Sequence, residues 1–200
     1  GGGAYLWQGG RLDACALVGN RAAGDGGGAF CSEGGLLVNC TGTVNDSAAH
    51  GGAVMLDYYG EVLGGLYTLN TGRWGGAIAC YSDGEVRGVV MATNYATDAG
   101  GGLNLDSGGY ASNCLIRANR TWDGGGVMLY FGGLLHQSVV ESNAATWGGG
   151  LLCWGTNESG YVLGCTVRGN SATNAGGGAR LYQGGQVRDF RYRLLPVFAN

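Results

Sequence analysis

The sequence predicts an all-β chain, a parallel β-solenoid of about eight coils of 24–25 residues, and three observations carry that expectation. A Gly-Gly-Gly or Gly-Gly-Ala triplet begins at Gly1, Gly26, Gly51, Gly75, Gly100, Gly124, Gly148 and Gly176, at spacings of 25, 25, 24, 25, 24, 24 and 28. An asparagine keeps the same register at Asn20, Asn45, Asn70, Asn94, Asn119, Asn143 and Asn170. After each triplet, apolar residues stand two apart, which is the period of a strand with one buried face, and helical period is missing.

The triplets come first. Glycine is 45 of 200 residues, yet no Gly-X-Y period runs through them, so collagen is excluded. Glycines recurring once per coil mark corners where φ is positive or two backbones approach closely. The long interval of 28 holds a three-residue insertion in Trp154–Gly160. The asparagines fall where the chain turns again, and stacked amides there would satisfy backbone groups along one edge.

The strands follow. The fourth residue of each coil is Ala4, Ala29, Val54, Ile78, Leu103, Val127, Leu151 or Ala179. The sixth is Leu6, Cys31, Leu56, Cys80, Leu105, Leu129, Cys153 or Leu181, and the twelfth runs from Leu12 to Val187, apolar throughout. A second short strand is expected to carry Cys15, Cys40, Cys114 and Cys165 in one column and Leu17, Met91, Ile116, Val140 and Val167 in another. A coil alone buries about five apolar side chains at roughly 1.5–3 kcal/mol each, against about 1–2 kcal/mol of backbone entropy per residue. Stacking is therefore required in every coil. A leucine-rich horseshoe is excluded because L-x-x-L-x-L does not occur.

The repeat resembles the polymorphic outer-membrane protein repeats, whose hallmarks are GGAI and FxxN. Gly75-Gly76-Ala77-Ile78 matches the first as written, and Leu17-Val18-Gly19-Asn20, Met91-Ala92-Thr93-Asn94, Ile116-Arg117-Ala118-Asn119 and Val140-Glu141-Ser142-Asn143 match the second with an aliphatic in place of Phe. Asn39-Cys40 and Asn113-Cys114 are similar to the glycine-rich Asn-Cys repeats of large secreted bacterial proteins. The resemblance covers residues 1 to about 180 and implies a right-handed parallel β-helix at a bacterial cell surface. Adhesins, autotransporter passengers, polysaccharide lyases and hydrolases all use that fold, so function is read from sites.

Charge and cysteine narrow the classes. The formal charge is −3, with no lysine. Residues 1–175 carry 7 arginines against 13 acids, and residues 176–200 carry 4 against 1. An acidic body has no electrostatic footprint for nucleic acid. No apolar run reaches the roughly 18 residues of a membrane helix. No signal peptide precedes Gly1, so a leader has been removed or the chain is one piece of a longer one. The seven cysteines fall in apolar columns and read as small buried hydrophobes. Cys15 and Cys40 are stacked neighbours within disulfide reach, though a bridge is not expected. His50 and His136 align with no cysteine pair, so no metal is expected, and no cofactor is expected. Of the sequons at Asn39, Asn45, Asn119 and Asn157, those at Asn45 and Asn119 belong to the asparagine column and are not read as glycan sites.

The outward residues carry the candidate chemistry. Position seven is Trp7, Ser32, Asp57, Tyr81, Asp106, Tyr130, Trp154 and Tyr182; position five, also outward by parity, is Tyr5, Phe30, Met55, Ala79, Asn104, Met128, Leu152 and Arg180. Eleven of these sixteen are aromatic or apolar on a face expected to meet water, and a contiguous apolar stripe marks a contact surface. Trp7, Tyr81, Tyr130, Trp154, Tyr182, Asp57 and Asp106 form the expected binding face, for a partner solenoid or for sugar rings. Asp57 and Asp106, two coils apart, are the only catalytic candidates; roughly 9–10 Å between them lies at the upper edge for an inverting glycosidase. Catalysis is not the expected use, because no basic residue joins them. Asp25, Asp98 and Asp123 sit beside the glycine corners without the calcium-binding nonapeptide.

The last coil, Gly176–Asn200, loses the asparagine markers and gains Arg and aromatics; it is either a cap, with Pro196 blocking further pairing, or a joining surface. The whole chain, 1–200, is expected to be one solenoid. The expected function is an extracellular or cell-surface structural or adhesive protein that self-assembles head to tail, or laterally, into a filament or layer. The alternative is a polysaccharide-binding or polysaccharide-cleaving β-helix.

Overall fold

Alternating apolar residues can bury one face only if the next coil covers them, and the chain meets that demand by coiling through four sides. In the computed structural model, which describes residues 1–155, 160–182, 185–188 and 191–193, the first coil consists of strands Ala4–Trp7, Arg11–Asp13, Ala16–Val18 and Arg21–Ala22. Later coils stack on it in parallel. Three eight-stranded sheets result, and the fourth side is a four-stranded and a two-stranded sheet linked by single bridges such as Ala99–Asp123 and Asp123–Trp147. No helix occurs among the described residues, so the architecture is an all-β parallel solenoid. The insertion at 156–159, the sequon at Asn157 and Pro196 lie outside the described residues.

The register agrees with the sequence columns. Ala4 pairs with Ala29, Ala29 with Val54, and the series continues through Ile78, Leu103, Val127 and Leu151 to Ala179. The columns at positions four, six and twelve fill one continuous core, except that Leu181 in the last coil is exposed. In the third sheet Leu17 stacks on Gly42, Gly42 on Tyr67 and Tyr67 on Met91. A Cβ on Gly42 would lie 2.6 Å from the Tyr67 ring, so the absent side chain at one level makes room for the large one at the next.

The corners explain the glycines. The first glycine of each later triplet, Gly26 through Gly176, has φ between 62° and 72°. At Gly51 a Cβ would also lie 2.0 Å from the carbonyl oxygen of Val54. The second glycine is needed for a different reason: on Gly52 a Cβ would stand 2.1 Å from the Gly76 oxygen of the next coil. Other corners are permissive, since Val44 and Leu69 adopt φ of 56° and 57° at exposed positions.

Two details differ from the sequence expectation. The cysteines of the second column precede the third strand rather than lie within it, and their thiols point back to a carbonyl two residues earlier, as from Cys40 to Val38 at 3.4 Å and Cys165 to Leu163 at 3.3 Å. Ser138 takes the same place and donates to His136 oxygen at 2.8 Å. All seven cysteines are free thiols, Cys15 and Cys40 included. Secondly, all variation in coil length up to Gly148 falls on the fourth side. Each triplet from Gly1 to Gly124 is followed by its asparagine after 19 residues, whereas the step from asparagine to the next triplet is 5 or 6. The slack appears as bulges, where Gly72 and Trp74 pair with Ala96 and Ala99.

Candidate functional site

The asparagines form a continuous ladder inside the corner between the third and fourth sides. Asn45 donates its amide to Asn70 Oδ1 at 3.0 Å and to the Leu17 carbonyl at 2.8 Å, while its backbone N–H reaches the same Asn70 oxygen at 2.9 Å. Asn20, Asn70, Asn94, Asn119 and Asn143 each hand an amide proton to the next asparagine at 3.0 Å, ending on Asn170. From Asn45 to Asn143 both amide hydrogens and the carbonyl oxygen of every ladder side chain are used. These residues hold the coil together and have nothing left for a ligand.

The opposite edge of the fourth side is different. The residue preceding each triplet is Asp25, His50, Trp74, Ala99, Asp123, Trp147 or Ala175, one column along the corner. This column stands beside the outward face of the first sheet, where Trp74 and Trp147 pack with Met128 and Leu152. Position five thus becomes the floor of a groove. Met55, Ala79, Asn104, Met128 and Leu152 are buried there, not exposed as parity suggested. Trp74, Tyr130 and Trp147 pack with Ala99, Met128 and Leu152 as a small hydrophobic cluster outside the main core. Aromatic side chains from both walls have closed over a face that lacks a covering layer.

Position seven supplies the second wall. Tyr130, Trp154 and Tyr182 follow one another up the groove, with ring centroids 6.5 Å and 5.4 Å apart in edge-to-face contacts. Between the walls lies a cleft of about 450 Å³ bordered by Trp74, Trp122, Asp123, Tyr130 and Trp154. A second recess of about 330 Å³ continues from it past Trp147 to Arg180 and Tyr182, sharing Asp123 and Trp154. The Arg180 guanidinium carbon lies 4.1 Å from the centre of the Trp147 ring.

At the other end the groove turns polar. Asp25 Oδ1 meets His50 Nδ1 at 2.7 Å and accepts the His50 backbone N–H at 3.1 Å. The His50 ring stands edge-on to Tyr81, 5.2 Å between centroids. Asn104 donates its amide to the Tyr81 hydroxyl at 3.2 Å. Burial pushes the Asp106 carboxyl above its ordinary value, against the hydrogen bonds that Ser107 donates to it. Burial likewise raises Asp123, offset in part by the positive charge of Arg180. Asp57 accepts the backbone N–H of Tyr58 at 3.1 Å.

The residues singled out in the sequence are thus distributed along one wall. Tyr130, Trp154 and Tyr182 border the two recesses; Asp106, Tyr81 and Asp57 continue the same column below Tyr130, and Trp7 is exposed in the first coil. The facing wall was not foreseen: Trp74, Trp122 and Trp147 were missed, and Asp123 was noted only as an acid beside a glycine corner. The available signal was the residue before each triplet, which is large or charged in five of seven coils although it abuts a glycine corner. Among the described residues, no group of three or more His, Cys, Asp and Glu is placed to hold a metal ion. No helix of the described residues is long and apolar enough to cross a membrane.

No protein-family model matches the chain, and neither a curated protein nor a solved structure is significantly similar to it.

Proposed function

We propose that the protein is an extracellular or cell-surface β-solenoid that binds polysaccharide along the groove between the glycine corner and the first sheet. One observation carries this reading: a continuous cleft whose two walls present Trp74, Trp122, Tyr130, Trp154 and Tyr182 together with the carboxyl of Asp123. Ring faces stack on the apolar faces of sugar rings, and a few placed polar groups fix their orientation. The groove follows the solenoid axis and suits an extended chain molecule. The similarity of the repeat to bacterial surface repeats supports the location, and adhesion to glycans is then the use. The proposed activity is binding without cleavage.

A glycan array followed by calorimetry tests it. Wild-type protein is expected to bind a polysaccharide, and Trp154→Ala, which removes a partly exposed wall ring, is expected to weaken binding at least tenfold while leaving the unfolding transition within a few degrees. Absence of binding to every glycan class overturns the reading. Release of reducing ends from the bound glycan, lost in Asp57→Asn or Asp106→Asn, would convert it into a hydrolase.

Lateral self-association is a second reading, favoured by the adjacent exposed pair Tyr58 and Tyr59 at the corner after the first sheet, with Phe131 exposed at the same corner three coils on. Electron microscopy distinguishes side-by-side rafts and end-to-end filaments from separate rods.

A further inference from the structure

Among the described residues four buried side-chain polar atoms lack a partner: two hydroxyls, of Tyr67 and Thr121, and two carbonyl-type oxygens, of Asn104 and Asp123, which belong to the floor and wall of the groove. Asn104 is 1% exposed on the floor, one level below Met128. Its amide hydrogen is committed to Tyr81, and its carbonyl oxygen Oδ1 has no partner. Asp123 borders both recesses, and its Oδ1 is also buried without a partner. Both atoms are hydrogen-bond acceptors. A buried acceptor without a donor is penalised, and a ligand donor recovers that penalty. The ladder shows that this chain satisfies buried asparagines where only structure is at stake.

The charges agree with the acceptors. Asp98 and Asp123 line the cleft, with Asp106 on the same wall as Tyr130. The Arg73 guanidinium that approaches them is held by Asp98 at 2.6 Å. Arg180 lies over Trp147 at the upper end, where its charge acts on Asp123. A polyanion entering this cleft would meet carboxylates already penalised by burial. A neutral sugar brings hydroxyl donors to the free acceptors and no opposing charge.

We propose that the groove selects neutral, hydroxyl-donating polysaccharide over uronate-containing or sulfated polymers, with Asp123 and Asn104 accepting hydrogen bonds from ring hydroxyls while the wall aromatics stack on the rings. This rests on the glycan-binding reading and names its substrate class. Full-length protein is screened on an array of neutral, carboxylated, sulfated and amine-bearing glycans. The strongest neutral ligand is then compared by calorimetry with the same polymer oxidised at its primary hydroxyls to carboxylates. Neutral hits, at least tenfold weaker binding after oxidation, and a smaller gap in Asp123→Asn are the expected results. Hits confined to charged glycans, or equal or tighter binding of the oxidised polymer, overturn the selectivity and leave glycan binding standing. An unchanged gap in Asp123→Asn overturns the role given to that carboxyl. An array without hits overturns both proposals. Asn104→Leu provides a second readout, with weaker binding of the neutral ligand expected and unaltered affinity removing Asn104 from the site.

Discussion

Asn94 and Asn104 stand ten residues apart, and both are buried, at 2% and 1% exposure. The first lies in the ladder inside the third corner, where its amide donates to Asn119 and to the Tyr67 carbonyl at 3.0 Å each. Its own Oδ1 accepts the backbone N–H and the amide of Asn70 at 3.0 Å. The second lies under the groove with an orphaned carbonyl oxygen. The same residue type, equally removed from water, is fully satisfied in one region and left wanting in the other. Interior corners of a solenoid repeat at every level, so each level supplies the partner for the next. The groove floor does not repeat, because Ala79, Asn104, Met128 and Leu152 follow one another there, and Asn104 has no like neighbour.

The sharpest way to break this comparison is to remove each asparagine. Asn94→Ala would strip Asn70 of the acceptor for two donors and Tyr67 oxygen of its donor, three buried groups at about 1–3 kcal/mol each. A loss of roughly 3 kcal/mol or more is expected in denaturant titration. Asn104→Leu should change stability by less than about 1 kcal/mol, since relief of the unpaired acceptor offsets loss of the hydrogen bond to the Tyr81 hydroxyl. Comparable losses for the two variants would erase the distinction between ladder and groove.

A smaller effect comes from the core. The Tyr67 hydroxyl is also buried without a partner, and burial drives its ionisation well above the usual range. Unlike Asn104, it faces the sealed interior, where no ligand can enter. Tyr67→Phe is therefore expected to stabilise the fold by about 1 kcal/mol without changing glycan affinity. A loss of stability would show that the hydroxyl has a partner in solution, such as a trapped water.

The smallest expected effect is in pH dependence. Asp106 and Asp123 bind a proton more readily when folded than their ordinary value of 3.8. Their contribution to stability is complete below that value and is lost as pH rises through the raised native value. An Asp106→Asn/Asp123→Asn variant should accordingly melt above wild type at neutral pH, and the difference should shrink as the solution is acidified toward the carboxylate range. Ladder variants should show no such convergence. Thermal scans across the acid range decide this, and a constant difference would contradict the burial argument.

Legibility divides along the same line. The parallel solenoid was readable because its determinants are local and repeated. Position four in every coil is apolar for one reason, and every first glycine after Gly1 meets a φ between 62° and 72° and the same carbonyl three residues on. Tyr130, Trp154 and Tyr182 were visible as a column. Their partners across the cleft were not, because Trp74 and Trp147 come from another side of the coil, and no period along the chain relates that side to the outward face of the first sheet. The cysteine column was misplaced by one residue, since a thiol that caps a corner carbonyl and one that packs in a strand share the same spacing.

The repeat in the sequence was enough to establish the coil, its register and the residues facing the shared interior, since those depend on a period that each coil states again. Parity also placed Met55, Asn104, Met128 and Leu152 on the outside of the first sheet. That they are nevertheless buried, and that a cleft of about 450 Å³ lies beside them, was decided by the tertiary structure. Trp74 and Trp147, which belong to the fourth side, come to pack on Met128 and Leu152 of the neighbouring first sheet. Alternation along a strand specifies which way a side chain points, whereas the distance to the next element specifies what it meets.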